Sequence, residues 1–212
     1  MGVVLNIFLL LFALAATCGV VWADERSPNY VRISTGLYQP TGDLDDGGYD
    51  SGFNISGVYG RYFGKYLVLE GGIGYAYSER DFDGSTTAAG FYIEEDSVSI
   101  LSVTATAKGV YPAGKLEIFG GAGIDGHFVR FDADIKTRRL GKFSTDDEDT
   151  LFGFHIVGGA NYNITERLFL GGEIKYLWTD EVDISKPISD IPIGLRGDLN
   201  GYTVSIIFGF RF

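Results

Sequence analysis

Only two imidazoles occur in this 212-residue chain, His127 in GIDGHFVRF and His155 in LFGFHIVGG, and Asp125 stands two residues before the first. Two imidazoles and a carboxylate can hold a divalent metal or share a proton near neutral pH. The plainer reading is a pair of buried rings satisfied by hydrogen bonds. A second set is ionic. Arg32, Glu70, Lys108, Glu117, Glu173, Lys175 and Arg211 each interrupt an apolar or glycine-rich stretch. A third set is acidic: Asp43, Asp45, Asp46 and Asp50, then Asp146, Asp147, Glu148 and Asp149. Carboxylate oxygens of this kind suit Ca²⁺ or Mg²⁺, but neither cluster has EF-hand spacing. Solvated acidic loops are the plainer account. No cofactor is expected.

The elements that must position these residues are strands. Eight stretches alternate with a period of two: 30–38, 53–63, 67–78, 99–111, 116–131, 151–162, 168–179 and 199–212. Each is long enough to cross a bilayer as a tilted strand, which takes about 9–11 residues. No convincing helix follows residue 28. The connections are alternately tight (GKY 64–66, PAGK 112–115, NITER 163–167) and long (39–52, 79–98, 132–150, 180–198). All long loops therefore fall at one end, as in outer-membrane barrels. The acidic runs lie in the long loops, and Lys65, Lys115 and Arg167 lie in the tight turns.

Alternation alone does not say which face meets water, because a soluble calycin-type barrel also alternates. Side-chain size argues for lipid outside. Leu67, Leu69, Ile73, Tyr75 and Tyr77 share one face of the third strand, against Val68, Glu70, Gly72, Gly74, Ala76 and Ser78. In the seventh, Leu168, Leu170, Ile174, Tyr176 and Trp178 oppose Phe169, Gly171, Glu173, Lys175 and Leu177. An eight-stranded barrel has an interior just wide enough for side chains to fill, so the bulky set is expected outside. Rings at strand ends suit the aromatic girdles of a membrane barrel. The same phase points Arg32, Glu70, Lys108, Glu117 and Arg211 inward near the tight-turn end, with Glu173 and Lys175 nearer mid-height. Such charges must pair or cost several kcal/mol each. They form either a selectivity filter or, as favoured here, a plug of ion pairs. If Phe131 pairs with Leu151, His127 falls opposite His155, both inward, with Asp125 one step lower.

The last stretch, GYTVSIIFGFRF, keeps its alternation to Phe212. An unpaired edge in hydrocarbon costs several kcal/mol per backbone group, so this strand is expected to pair with the first. With Tyr202, Phe208, Phe210 and Phe212 on one face, it resembles the C-terminal assembly signal of bacterial outer-membrane proteins. The eight-strand plan, GDL in the first loop and the Gly-rich GGAGIDG and GGANY resemble the small eight-stranded outer-membrane β-barrel family, OmpA/OmpX-like and OmpW-like. The resemblance spans residues 28–212. It implies a monomer in the bacterial outer membrane, in contact with lipid and lipopolysaccharide and delivered by the barrel-assembly machinery. It also implies a menu of activities: structural barrel, adhesin, narrow channel or lipid-modifying enzyme.

Composition agrees. Gly supplies 31 residues, about twice its usual ~7% share, and mean hydropathy is only +0.10, too low for a helical membrane protein. A net charge of -11 argues against nucleic acid as a partner, since phosphates need basic surface. Residues 1–23 read as a signal peptide, with an apolar run and VWA before Asp24, although no Lys or Arg precedes the run. Residues 24–212 are then the barrel. The only cysteine, Cys18, lies in the signal, so the barrel has no disulfide. The expectation is an all-β, eight-stranded antiparallel up-and-down transmembrane barrel. Its expected role is structural and non-enzymatic, with acidic loops available for adhesion or ligand contact. A narrow OmpW-like channel is the alternative. A lipid A-modifying enzyme is less favoured, because both histidines face away from lipid and neither has a serine one or two residues away.

Overall fold

A two-residue period turns each long stretch into a strand. The strands are β1 (Asn29–Pro40), β2 (Gly52–Phe63), β3 (Leu67–Thr86), β4 (Gly90–Ala113), β5 (Leu116–Thr137), β6 (Gly141–Asn163), β7 (Leu168–Thr179), β8 (Glu181–Ser185), β9 (Gly194–Asp198) and β10 (Gly201–Arg211). These come from a computed structural model that describes residues 28–86, 90–137, 141–185 and 194–212, with side chains over 28–80, 96–132, 148–181 and 197–212. The expected signal peptide lies outside the described residues. Eight strands close into one antiparallel barrel in the order β1-β10-β7-β6-β5-β4-β3-β2, while β8 and β9 pair separately. This is the eight-stranded antiparallel barrel expected above, with up-and-down order. The tight turns lie at one end, where Gly64 (φ 71°) and Gly114 (φ 67°) take the left-handed conformation that a side chain resists.

The connections differ from expectation. Residues 79–98 and 132–150 are not long loops: β3 and β4 pair out to Thr86↔Gly90, and β5 and β6 out to Thr137↔Gly141. Backbone pairing there continues beyond the length that lipid requires, because each added rung satisfies the N–H and C=O groups that face the partner strand. The connection 180–198 carries the β8–β9 hairpin. The connection 39–52 carries a short helix, α1 (Asp43–Asp46), where no helix was expected.

Apolar side chains stand outside. Leu37, Ile73 and Ile206 are each more than 60% exposed, in a belt continued by Leu101, Ile124, Ile156 and Ile174. Soluble monomers rarely expose so large an apolar surface, whereas acyl chains would cover it. Aromatic rings reinforce the rims of the belt: Phe154 stacks on Trp178 at 4.8 Å, and Trp178 meets Tyr176 at 4.4 Å.

The interior is less purely small and ionic than side-chain size suggested. Two apolar layers fill it. The layer near the tight turns contains Tyr30, Val68, Val110, Phe119, Val157, Phe169 and Ile207. The layer at the opposite end contains Tyr38, Val98, Ile100, Val129, Phe131, Leu151 and Leu199, with Leu44 and Tyr49 inserted from the first connection. Inward glycines make the room: the rings of Tyr30, Phe119 and Phe169 occupy the space that side chains at Gly60, Gly159 and Gly209 would need. Phe169, 1% exposed, packs edge-on to Tyr30 at 5.7 Å and beneath the Arg211 guanidinium at 4.5 Å. Phe169→Ala should leave a cavity and cost about 3–5 kcal/mol, measured as a lowered urea midpoint for the barrel refolded in lipid vesicles.

Candidate functional site

Arg32, Glu70, Lys108 and Glu173 gather between the two apolar layers. Arg32 from β1 grips Glu70 of β3 through two bonds, Nε to Oε1 at 3.0 Å and Nη2 to Oε2 at 2.9 Å. Lys108 of β4 reaches Glu70 at 2.9 Å and Glu173 of β7 at 2.8 Å, and Arg32 also meets Glu173 at 3.2 Å. Tyr30 donates its hydroxyl to Glu70, and the Lys108 ammonium lies 4.4 Å from the Phe119 ring centre. Two cations and two carboxylates, all nearly excluded from water, thus tie four strands across the lumen. Glu173 belongs to this tetrad. The two-residue period placed it inward but could not show which charges meet.

Glu117 and Arg211 form a second, lower pair at 3.5 Å. Tyr62 donates to Glu117 at 2.9 Å, and Arg211 donates to Asn163 at 2.7 Å. Lys175 stands apart: it faces the lumen above the tetrad and forms no ion pair or hydrogen bond with a described residue.

Above the tetrad is a chamber of about 70 Å³, with Arg32, Glu70, Lys108 and Glu173 in its floor and Tyr38 and Ile100 in its roof. A cavity of about 10 Å³ lies on the other side of the tetrad. The histidines line the chamber, but in a different register from the expected one. His127 pairs with Leu151, and His155 pairs with Gly123. Pairing is displaced by four residues: the hairpin pairs Thr137 with Gly141, whereas a Phe131–Leu151 register would pair Thr137 with Thr145. An even displacement keeps every side chain on its original face, so both rings remain inward without standing opposite each other.

The proposed metal set therefore does not assemble as one cage. Asp125 Oδ2 bonds His155 Nδ1 at 2.6 Å, Thr106 bonds His155 Nε2 at 3.0 Å, and Ser102 bonds His127 Nδ1 at 2.8 Å. Among the described residues no three His, Cys, Asp or Glu side chains converge to hold a metal ion. Sequence reasoning missed Ser102 and Thr106. The available signal was their inward phase on β4 beside two histidine-bearing strands, but only the register brings a hydroxyl to each ring.

Thr106, His155 and Asp125 have the connectivity of a hydroxyl–imidazole–carboxylate relay. Acyl transfer also needs donors for a developing oxyanion, and the surrounding backbone N–H groups are committed to the β4–β5 and β5–β6 ladders. The relay is enclosed between strands and links three of them.

The four residues expected to act in assembly, Tyr202, Phe208 and Phe210 of β10 and the following Phe212, are each 38–52% exposed. In the first connection, α1 turns Leu44 into the lumen at 0% exposure, while Asp43, Asp45 and Asp46 stay exposed. Arg80 holds this segment down: it donates to the Gly47 carbonyl at 2.9 Å, pairs with Asp96 and lies over the Tyr49 ring.

Removing one carboxylate from the tetrad leaves two buried cations sharing one counter-charge. Glu70→Gln should cost about 3–5 kcal/mol, read from urea unfolding in vesicles, whereas Glu148→Gln on the exposed rim should change the midpoint little.

Residues 7–212 match the family described as outer membrane protein beta-barrel domain. No curated protein matches the chain in sequence. Among solved structures, Neisserial surface protein A is similar with a TM-score of 0.54 at 14% identity, covering 87% of this chain and 97% of that one. OprG of Pseudomonas aeruginosa gives 0.54 at 13%, covering 88% and 97%. The outer membrane protease OmpT of Escherichia coli gives 0.54 at 9%, covering 91% and 99%. At such identities the likeness is one of fold, and this fold carries enzymes and non-enzymes alike. With its lipid-facing belt, its closed strand network and this match over nearly its whole length, the chain belongs to the outer membrane protein β-barrel family and is a barrel of the bacterial outer membrane.

Proposed function

We propose that this protein is a monomeric, non-enzymatic structural barrel whose lumen does not conduct and whose outer end is available for contact with external ligands or surfaces. The observation that carries the reading is the filling of the lumen. Two apolar layers cross it, and between them the Arg32–Glu70–Lys108–Glu173 tetrad closes the floor of a small chamber. A narrow channel would require Leu44 to leave the upper layer and the tetrad to part, breaking ion pairs that exclude water.

The outer end supports the second half of the reading. Four strands, β3 to β6, run 20, 24, 22 and 23 residues, roughly twice the 9–11 that a membrane strand needs. Their pairing continues past the point where β2 and β7 stop, at Tyr77 and Gly153. A paired sheet standing beyond the lipid offers a stiffer surface than free loops would. Its acidic residues suit contact with lipopolysaccharide through divalent counter-ions. The outward aromatic face of β10 suits docking to the barrel-assembly machinery.

Two outcomes are expected. Purified protein in planar lipid bilayers should show no reproducible unitary openings; openings abolished by Lys108→Met would establish the channel instead. Phe212→Ala should lower the amount of heat-modifiable barrel in outer membranes several-fold while leaving refolding in detergent unchanged. Normal abundance in cells would remove the assembly role.

A further inference from the structure

The outer surface of the barrel differs in charge between its two ends. Each tight turn carries one exposed cation: Lys65 between β2 and β3, Lys115 between β4 and β5, and Arg167 between β6 and β7. Arg61 adds a fourth, on β2. Its neighbours face the lumen, since a side chain at Gly60 would strike the Tyr30 ring and Tyr62 donates to Glu117, so Arg61 faces outward. Among the described residues, Glu166 is the one carboxylate side chain exposed at this end. At the opposite end the exposed cation Arg130 is already paired with Asp132 at 3.1 Å.

Aromatic rings fix the depth of these cations. Tyr66, Tyr111 and Tyr162 stand beside the three turns, each more than half exposed, and amphipathic rings of this kind settle at headgroup level. The Arg61 guanidinium lies 5.6 Å from the Phe63 ring centre, and the Lys65 ammonium lies 5.4 Å from that of Tyr66, which holds both charges at the level of the rings. A charge on the lipid-facing wall is costly at the bilayer midplane and tolerated near the interface, so Arg61 marks that interface; tight turns lie on the periplasmic side of such barrels. We propose that the tight-turn rim is a binding surface for anionic glycerophospholipids of the periplasmic leaflet, with their phosphates drawn to Arg61, Lys65, Lys115 and Arg167. A zwitterionic headgroup balances its phosphate with its own ammonium, whereas an anionic one leaves a net charge for the rim to attract.

The test measures which lipid the barrel holds against its wall. The protein is refolded into phosphatidylcholine bilayers containing a trace of chain-spin-labelled phosphatidylglycerol or, in parallel, spin-labelled phosphatidylcholine. Electron paramagnetic resonance gives the fraction of each probe that the protein immobilises. The native barrel should prefer the phosphatidylglycerol probe by about two-fold or more. The preference should fall close to parity when Arg61→Gln, Lys65→Gln, Lys115→Gln and Arg167→Gln are combined, and should be unchanged in Arg130→Gln at the opposite end. Heat-modifiable migration checks folding; if the combined variant fails to fold, the three turn substitutions without Arg61→Gln replace it. The proposal is overturned if the native barrel holds both probes equally, if the combined variant keeps the native preference, or if Arg130→Gln lowers the preference as much.

Discussion

Eleven residue pairs, from Tyr30↔Arg211 to Pro40↔Gly201, join β1 to β10 and make the sheet endless. The rest of the structure depends on this seam. In hydrocarbon, water cannot satisfy a free N–H or C=O, so an open edge would leave a row of groups each costing several kcal/mol. Closure removes both edges at once and fixes an inside and an outside. After that, side-chain chemistry sorts itself by face: aliphatic and aromatic residues meet acyl chains, and charged residues meet one another.

Closure also sets a space problem that the interior solves in two ways. Rings fill the ends of the lumen wherever the neighbouring strand offers a glycine, as Phe169 does over Gly209 and Tyr30 over Gly60. Charges occupy the middle, where four strands contribute one each to the tetrad. The apolar layers keep water from the tetrad, which strengthens its attractions, and the tetrad in turn ties strands that are far apart in sequence. The first connection belongs to this packing rather than to a free rim, because Leu44 and Tyr49 join the upper layer and Arg80 clamps the segment that carries them.

Much of the wall was legible from residue types. A period of two is insensitive to small errors in strand ends, so the inward phase of Arg32, Glu70, Lys108 and Glu173 and the outward phase of Tyr202, Phe208 and Phe210 could be read from spacing. Which inward groups touch could not be read in this way. His127 and His155 were expected to face each other, yet each finds a hydroxyl from β4, and Asp125 goes to His155 alone. The outer hairpins were equally opaque: their polar, acidic residues look like loop, and only backbone pairing reveals them as strands.

By itself the sequence determined the architecture: eight amphipathic stretches, an even count, tight turns at one end and an apolar face too bulky to hide inside. Those are properties of local chemistry and a two-residue period, and they need no knowledge of neighbours. Tertiary structure decided the register, and with it the four-membered ionic knot, the hydroxyl partners of His127 and His155 and the chamber between the apolar layers. The physical reason is that sliding one strand past another by an even number of residues preserves every face while changing every partner. Only the assembled packing of rings into glycine gaps and charges onto counter-charges selects one alignment among them.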